Sequence, residues 1–282
     1  MRKVTLALAA CLVLAGCSAL RVAYDNGDTL LHWRLTRYLD VDDAQEAALD
    51  QAIDEFLVWH RSHELRKYAA IADEGARRVE RGLSREDLVW GYDSLVTQAR
   101  VSLRDAATRI APLLDRLSEK QIQHIERRFA EDNRKFAREV LRGSERERRA
   151  RRLKRDVERM EDWVGRLSKE ELERVRLYTA RAPLFDEERD RERRRLQAEL
   201  VSIVRAREAG KRLPDAAANW DRGRDAEYRA ANEALFREFY AMVLDIDRML
   251  TPEQRARAAG RLRGFARDFT TLAEAPGRRR AQ

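Results

Sequence analysis

Four times the chain places an apolar residue, then Ser or Thr, then an acid or Gln three positions on. The four are Leu83-Ser84 with Asp87, Leu117-Ser118 with Gln121, Leu167-Ser168 with Glu171, and Leu250-Thr251 with Gln254. Val41-Asp42 with Gln45 is a looser fifth copy. In this capping-box pattern two side chains reciprocally satisfy backbone N–H groups that a helix start leaves without partners. The preceding Leu or Val can act as a hydrophobic staple, and each cap is worth about 1 kcal/mol. Pro252 falls at a first helical position, where its missing N–H costs nothing.

Apolar residues after the caps recur at steps of three and four, the period of one helix face. From Ser84 the series runs through Leu88, Tyr92, Leu95, Val96, Ala99, Leu103, Ala106, Ala107, Ile110 and Leu114. Comparable series follow Gln45, Ser118 and Thr251, and no strand alternation is evident. Gly at 12 and Pro at 5 in 282 residues are too few for a turn-rich β fold. Hydrophobic residues at 44% supply a real core and exclude wholesale disorder. The expected fold is all-α. Irregular cap spacing argues against a strict repeat and for an irregular antiparallel helical bundle.

The middle differs in character. Arg142 to Arg159 is strongly basic, and Asp186 to Arg195 is an unbroken charged run with both signs alternating. Such patterning supports exposed helices. Residues 144–210 are expected to form long, thinly buried charged helices, free to project from the bundle. Leu213-Pro214-Asp215 reads as a break, and residues 275–282 as a disordered basic tail.

The N-terminus carries an address. Arg2 and Lys3 precede an uncharged run from Val4 to Leu14, too short to span a bilayer about 30 Å thick. Leu14-Ala15-Gly16-Cys17 follows and resembles the lipobox of bacterial lipoproteins. The resemblance implies cleavage before Cys17, transfer of a diacylglyceryl group to its thiol and acylation of its new amine, for example with palmitate. Residues 1–16 would then be a removed signal peptide and 17–24 a lipidated tether ahead of a helical domain spanning 25–274. Ser18 in place of an acid implies, by the same resemblance, sorting to the periplasmic face of the outer membrane. Cys11 leaves with the leader and Cys17 is consumed, so no thiol remains for a disulfide, a metal or nucleophilic catalysis.

Chemical motifs are sparse. His60 and His63, beside Glu64, give H-x-x-H-E, which matches neither zinc-protease order, and His60 continues an apolar stripe. Packing is the expected role for His60, with no metal and no other cofactor. His32 and His124 stand apart, and no nucleophile elbow, phosphate loop or dinucleotide turn is found. No catalytic role is expected. Only 7 of the 58 basic residues are Lys. Export makes nucleic acid an unexpected partner, and Arg equally serves carboxylates and anionic headgroups. Aromatics concentrate early, at Tyr24, Trp33, Tyr38, Phe56, Trp59 and Tyr68. They read as a core that seals the first helices or, for Trp33, Tyr38, Trp59 and Tyr68 above all, as a partner-binding groove or a seat against the headgroups near the anchor.

Tyr24-Asp25-Asn26, Leu30-Leu31-His32-Trp33, Tyr38-Leu39-Asp40, Gln45, Trp59-His60-Arg61, Glu64-Leu65 and Tyr68, together with the lipobox, resemble an uncharacterised family of proteobacterial lipoproteins, a domain of unknown function. The likeness runs over most of the mature chain. It implies a helical envelope lipoprotein and transfers no functional residue besides Cys17. Leu250-Thr251-Pro252-Glu253-Gln254 is also similar to the L-T-x-x-Q motif of small periplasmic stress chaperones, which are shorter, soluble, cradle-shaped dimers. The expected function is a lipid-anchored, periplasm-facing binding or scaffold module. Its partners would be the membrane, through its acyl chains, and an unidentified envelope protein. The alternative is a chaperone-like binder of unfolded outer-membrane proteins. A cell-wall or lipid hydrolase would need clustered carboxylates or Ser and His in a pocket.

Overall fold

The computed structural model describes residues 19–275, and every regular element in that span is helical. The described part of α1 is 19–25, followed by α2 Gly27–Leu39, α3 Asp43–His63, α4 Leu65–Arg81, α5 Arg85–Leu114 and α6 Glu119–Phe136. A π-helical turn, Ala137–Leu141, precedes α7 Glu145–Val164, α8 Lys169–Arg181 and α9 Asp186–Arg205. The chain ends with α10 Ala209–Ala218, α11 Ala226–Met249 and α12 Pro252–Glu274. The lipobox residues Leu14, Ala15, Gly16 and Cys17, the rest of the leader, and tail residues 276–282 lie outside the described residues.

All five capping boxes form as the sequence requires, at Asp42, Ser84, Ser118, Ser168 and Thr251. Ser144 with Glu147 adds another, which starts α7. Replacing Ser144 by Ala is expected to cost about 1 kcal/mol. The loss should show as faster amide exchange confined to the first turn of α7.

Three packing centres result. The first gathers α2, α3, the end of α5, α6, the end of α9 and the start of α10 around Leu49, Ile53, Leu117, Ile122, Ile203 and Val204. The second joins α8 and α11 through Val175, Tyr178, Met242 and Ile246, with Leu153, Val157 and Met160 of α7 against it. In the third, α4 lies along α12, the most extensive helix pair, with buried Ala69, Ala72 and Ala76 on one side and Ala258, Ala259 and Leu272 on the other. Small side chains there let two helices approach closely. α5, about 45 Å long at 1.5 Å per residue, bridges the centres.

A buried carboxylate fastens the third centre to α5 and α11. Gly82, at φ 91°, ends α4 in a conformation that suits glycine. The turn points the Leu83 N–H at Asp247 Oδ2 of α11, 3.0 Å away. Arg255 of α12 donates to Asp247 Oδ1 at 2.8 Å and to the Val79 carbonyl at 2.6 Å.

The structure corrects three expectations. Residues 144–210 do not project: α7 packs on α8 and α12, α8 on α11, and α9 on α6, α10 and α11. Part of the charge fastens helix to helix while the rest stays exposed. Arg149 donates to the carbonyls of Thr179 (2.6 Å) and Ala182 (3.1 Å), and Arg152 to that of Pro183 (2.7 Å) and to the Tyr178 hydroxyl (2.7 Å). Buried Asp190 and Glu192 are held by Arg193, Arg194, Arg195 and Arg224. Long Arg stems cover the thin apolar seam while their heads are paired.

Pro214 lies inside α10 and breaks nothing. The chain turns at 206–208 instead, where Arg207 takes a φ of 58°. Asp115, from the end of α5, accepts hydrogen bonds from Ala209 N (2.7 Å) and Gly210 N (3.0 Å) and so starts α10 from outside. Lastly, residues 19–24 of the expected tether are helical and docked on the body.

Candidate interaction surfaces

The early aromatics divide between three places. Tyr24, Phe56, Trp59 and Tyr68 surround His60, with ring centroids 5.4–6.3 Å from the imidazole, and Phe269 of α12 packs on Tyr68 at 5.7 Å. Tyr38 instead bonds Asp132 and packs on Phe129 at 5.7 Å, which joins α2 to α6. Trp33 faces solvent, 59% exposed. Of the four candidate partner-binding aromatics, the structure therefore brings only Trp59 and Tyr68 together.

The His60 cluster is where α1 is fastened. The Tyr24 hydroxyl and His60 Nδ1 are 2.9 Å apart. Arg61 lies over the Tyr24 ring at 5.1 Å and donates to Asp25 (3.3 Å) and to the Leu272 carbonyl (2.8 Å). Arg21 pairs with the buried Asp268 at 3.2 Å. Burial pushes the Tyr24 hydroxyl up to about 12, with Arg61 opposing and Asp25 and Tyr68 assisting. Burial also holds His60 below the ordinary imidazole value, against the pull of Glu64 and Asp105. His63 has other neighbours: it stacks on Trp59 at 5.9 Å and lies 2.8 Å from the Ser62 hydroxyl.

The other histidines are ties between helices. His32 lies between Asp50 (2.6 Å) and Glu46 (3.1 Å) and clamps α2 to α3. His124 Nε2 meets the Arg37 carbonyl at 3.1 Å. His32 stood apart in sequence because its partners are on the next helix.

The second surface is α5 itself. Between Leu88 and Ala106 no α5 residue is fully buried. Tyr92, Leu95, Val96, Ala99 and Leu103 share one face, and Tyr92, Leu95 and Leu103 are 41%, 52% and 44% exposed. Periodicity identified these residues as a helix face without telling whether anything covers it. Phe236 of α11 touches one end of the stripe, edge-on to Tyr92 at 4.9 Å. On a flank of α5, a cleft of about 510 Å³ between Trp59, Val101, Arg104 and Thr108 joins this helix to the His60 cluster.

No described helix is long and apolar enough to cross a membrane. Fold and surfaces together define an all-α bundle protein that offers helix faces. The chain belongs to the family of unknown function DUF6279, whose model matches residues 37–229. The match runs from within α2 to the first turn of α11, so it includes Tyr38, Gln45, Trp59 and Tyr68 and excludes the segment from Tyr24 to Trp33. No curated protein and no solved structure matches the chain.

Proposed function

We propose that this chain is a lipid-anchored, periplasm-facing scaffold module of the bacterial envelope, held at the outer membrane through Cys17. The exposed apolar stripe on α5 carries this reading. An exposed apolar face on a helix is a common mark of a protein-binding site. Here it extends over roughly 16 Å, from Tyr92 to Leu103 at 1.5 Å per residue, on the helix that bridges the packing centres. Acyl chains would supply location and the stripe would supply the partner, with no catalytic step. The motif at Leu250–Gln254, which suggested a chaperone, serves here as a cap. Thr251 and Gln254 close the α12 capping box, and Gln254 also donates to Glu171 at 3.1 Å.

The test is in-cell cross-linking and purification of the full-length protein beside a Leu95→Glu/Leu103→Glu variant and a Cys17→Ala variant exported by a non-lipid signal. Both charges enter at exposed positions, so circular dichroism should be unchanged. One envelope protein in stoichiometric yield, lost on the double substitution, is the expected result. Many unrelated outer-membrane precursors at low yield would establish the chaperone reading instead. Cys17→Ala should leave the membrane fraction.

A further inference from the structure

The outward face of α1 and α2 is exposed and carries no acid at its exposed positions. Backbone hydrogen bonds run through the junction, from Asn26 N to Val22 O (3.2 Å) and from Leu30 N to Asn26 O (3.0 Å), so the two helices form nearly one rod. Its exposed positions between 19 and 37 fall at steps of three and four and include Val22, Asn26, Leu30, Trp33, Arg34 and Arg37. None of them is acidic. Val22, Leu30 and Trp33 are 60%, 53% and 59% exposed. Arg34 lies over the Tyr38 ring at 5.3 Å.

The rod cannot turn to hide this face. Leu31 and Leu35 are packed into the first core, Leu39 is buried within it, and His32 is clamped by Asp50 and Glu46. At the start of the rod, Arg21, Tyr24 and Asp25 are committed to Asp268, His60 and Arg61.

We propose that this face is a membrane-contact surface, which lays α1 and α2 along an anionic phospholipid bilayer. The inference rests on anchoring through Cys17 and deepens that reading. Only Ser18 separates Cys17 from the first described helical residue, so acyl chains in the bilayer hold the rod against the headgroups. Trp33 is about 21 Å along the rod from Ala19, the first described residue, at 1.5 Å per residue. An amphipathic helix with Trp and Leu on one side and Arg beside them suits the interface between headgroups and chains. Arg34 and Arg37 complement anionic lipid. The acyl chains raise the local concentration of the face at the bilayer, so weak contacts suffice. The body would thereby be fixed in orientation, with α5 held at a set angle to the membrane.

Thr29, on the same face, and Lys154, on α7, are each replaced by Cys and labelled with an environment-sensitive dye, the mature chain having no other free thiol once Cys17 is lipidated. The lipidated protein is reconstituted in phosphatidylethanolamine–phosphatidylglycerol vesicles, and mass spectrometry reports the state of Cys17. The expected result is a several-fold brighter, blue-shifted signal at 29, quenched by lipid-borne nitroxides and reduced by Leu30→Ser/Trp33→Ser, with 154 unchanged. Lipidated Cys17 with position 29 as solvent-exposed as 154 overturns the inference and leaves the anchor standing. Cys17 found as a free thiol overturns the anchor. In that case the labelled Thr29→Cys/Cys17→Ala protein decides the inference. A salt-sensitive response to anionic vesicles, absent with phosphatidylcholine alone, sustains it, and no response overturns it.

Discussion

Replacing Asp247 by Ala is expected to destabilise the protein by about 3–5 kcal/mol, the range for removing one partner of a buried charged pair. The carboxylate is almost wholly buried and joins three elements. Its loss strands the Leu83 N–H in the α4–α5 turn, at roughly 1–3 kcal/mol for an unsatisfied buried donor. It also leaves Arg255 without its countercharge, although Arg255 keeps the Val79 and Asp247 carbonyls as acceptors. Asp247→Asn retains an acceptor for Leu83 but not the charge, and should cost about half as much. The two losses share one network, so Arg255→Met added to Asp247→Ala should cost far less than it does alone. Urea unfolding of the four variants, Arg255→Met alone among them, checks this. A cost under about 1 kcal/mol for Asp247→Ala would show that the turn relaxes around the gap.

That junction also shows where sequence reading stops. Helix starts at Asp42, Ser84, Ser118, Ser168 and Thr251 were legible because both halves of each box lie within four residues. Ser144 and Glu147 have the same chemistry, but Gly143 precedes them in place of a staple and the stripe that follows, Leu153, Val157, Met160 and Val164, is thin and set among charges, so the signal was masked by charge. The α10 cap was not legible at all, since Asp115 lies 94 residues from Ala209. Charge alternation in 144–210 gave helices and, for α7, thin burial correctly, but not that they pack on α6, α11 and α12 instead of projecting. Whether an Arg pairs along its own helix or with a carbonyl across the core, as Arg149 does with Thr179, is decided by tertiary placement.

The surfaces divide in the same way. His60 was legible as packing because it continues a three-four stripe, and its neighbours Phe56 and Tyr68 lie within eight residues of it in sequence. Trp33 and Tyr38 fell in the same aromatic-rich stretch, but helix geometry sends them to different sides of α2. The exposure of Leu95 and Leu103 had no local signal, because a buried and an uncovered apolar face have the same period. What distinguishes them is how many helices arrive, and α11 reaches α5 only near its start, at Tyr92.

Acid should weaken this protein through Asp87, and Asp87→Asn should isolate the effect. Asp87 is the second half of the Ser84 capping box and is buried beneath two guanidinium groups. Burial pushes its carboxyl up, but Arg81, the Ser84 N–H and hydroxyl, and Arg78 together hold it well below the usual carboxylate range. Arg78 donates at 2.6 Å and Arg81 at 2.7 Å to the same oxygen, while Ser84 N donates to the other at 2.9 Å. A folded carboxyl that binds protons less tightly than its unfolded counterpart contributes stability that is complete above about pH 4 and is lost as the pH falls through the folded value. At neutral pH Asp87→Asn should therefore cost about 2–3 kcal/mol, the worth of a charge-assisted bond with part of a cap. The contribution of Arg81 is minor because its side chain is more than half exposed. Below pH 4 the gap between wild type and variant should narrow by about 1.4 kcal/mol per pH unit. Asp156 and Asp268, which burial holds above their ordinary value, act with the opposite sign and are common to both proteins. They cancel when the two chemical-denaturation curves are subtracted at each pH. A gap that stays constant from pH 7 to pH 2 would mean that the Asp87 carboxylate contributes as a shape and not as a charge.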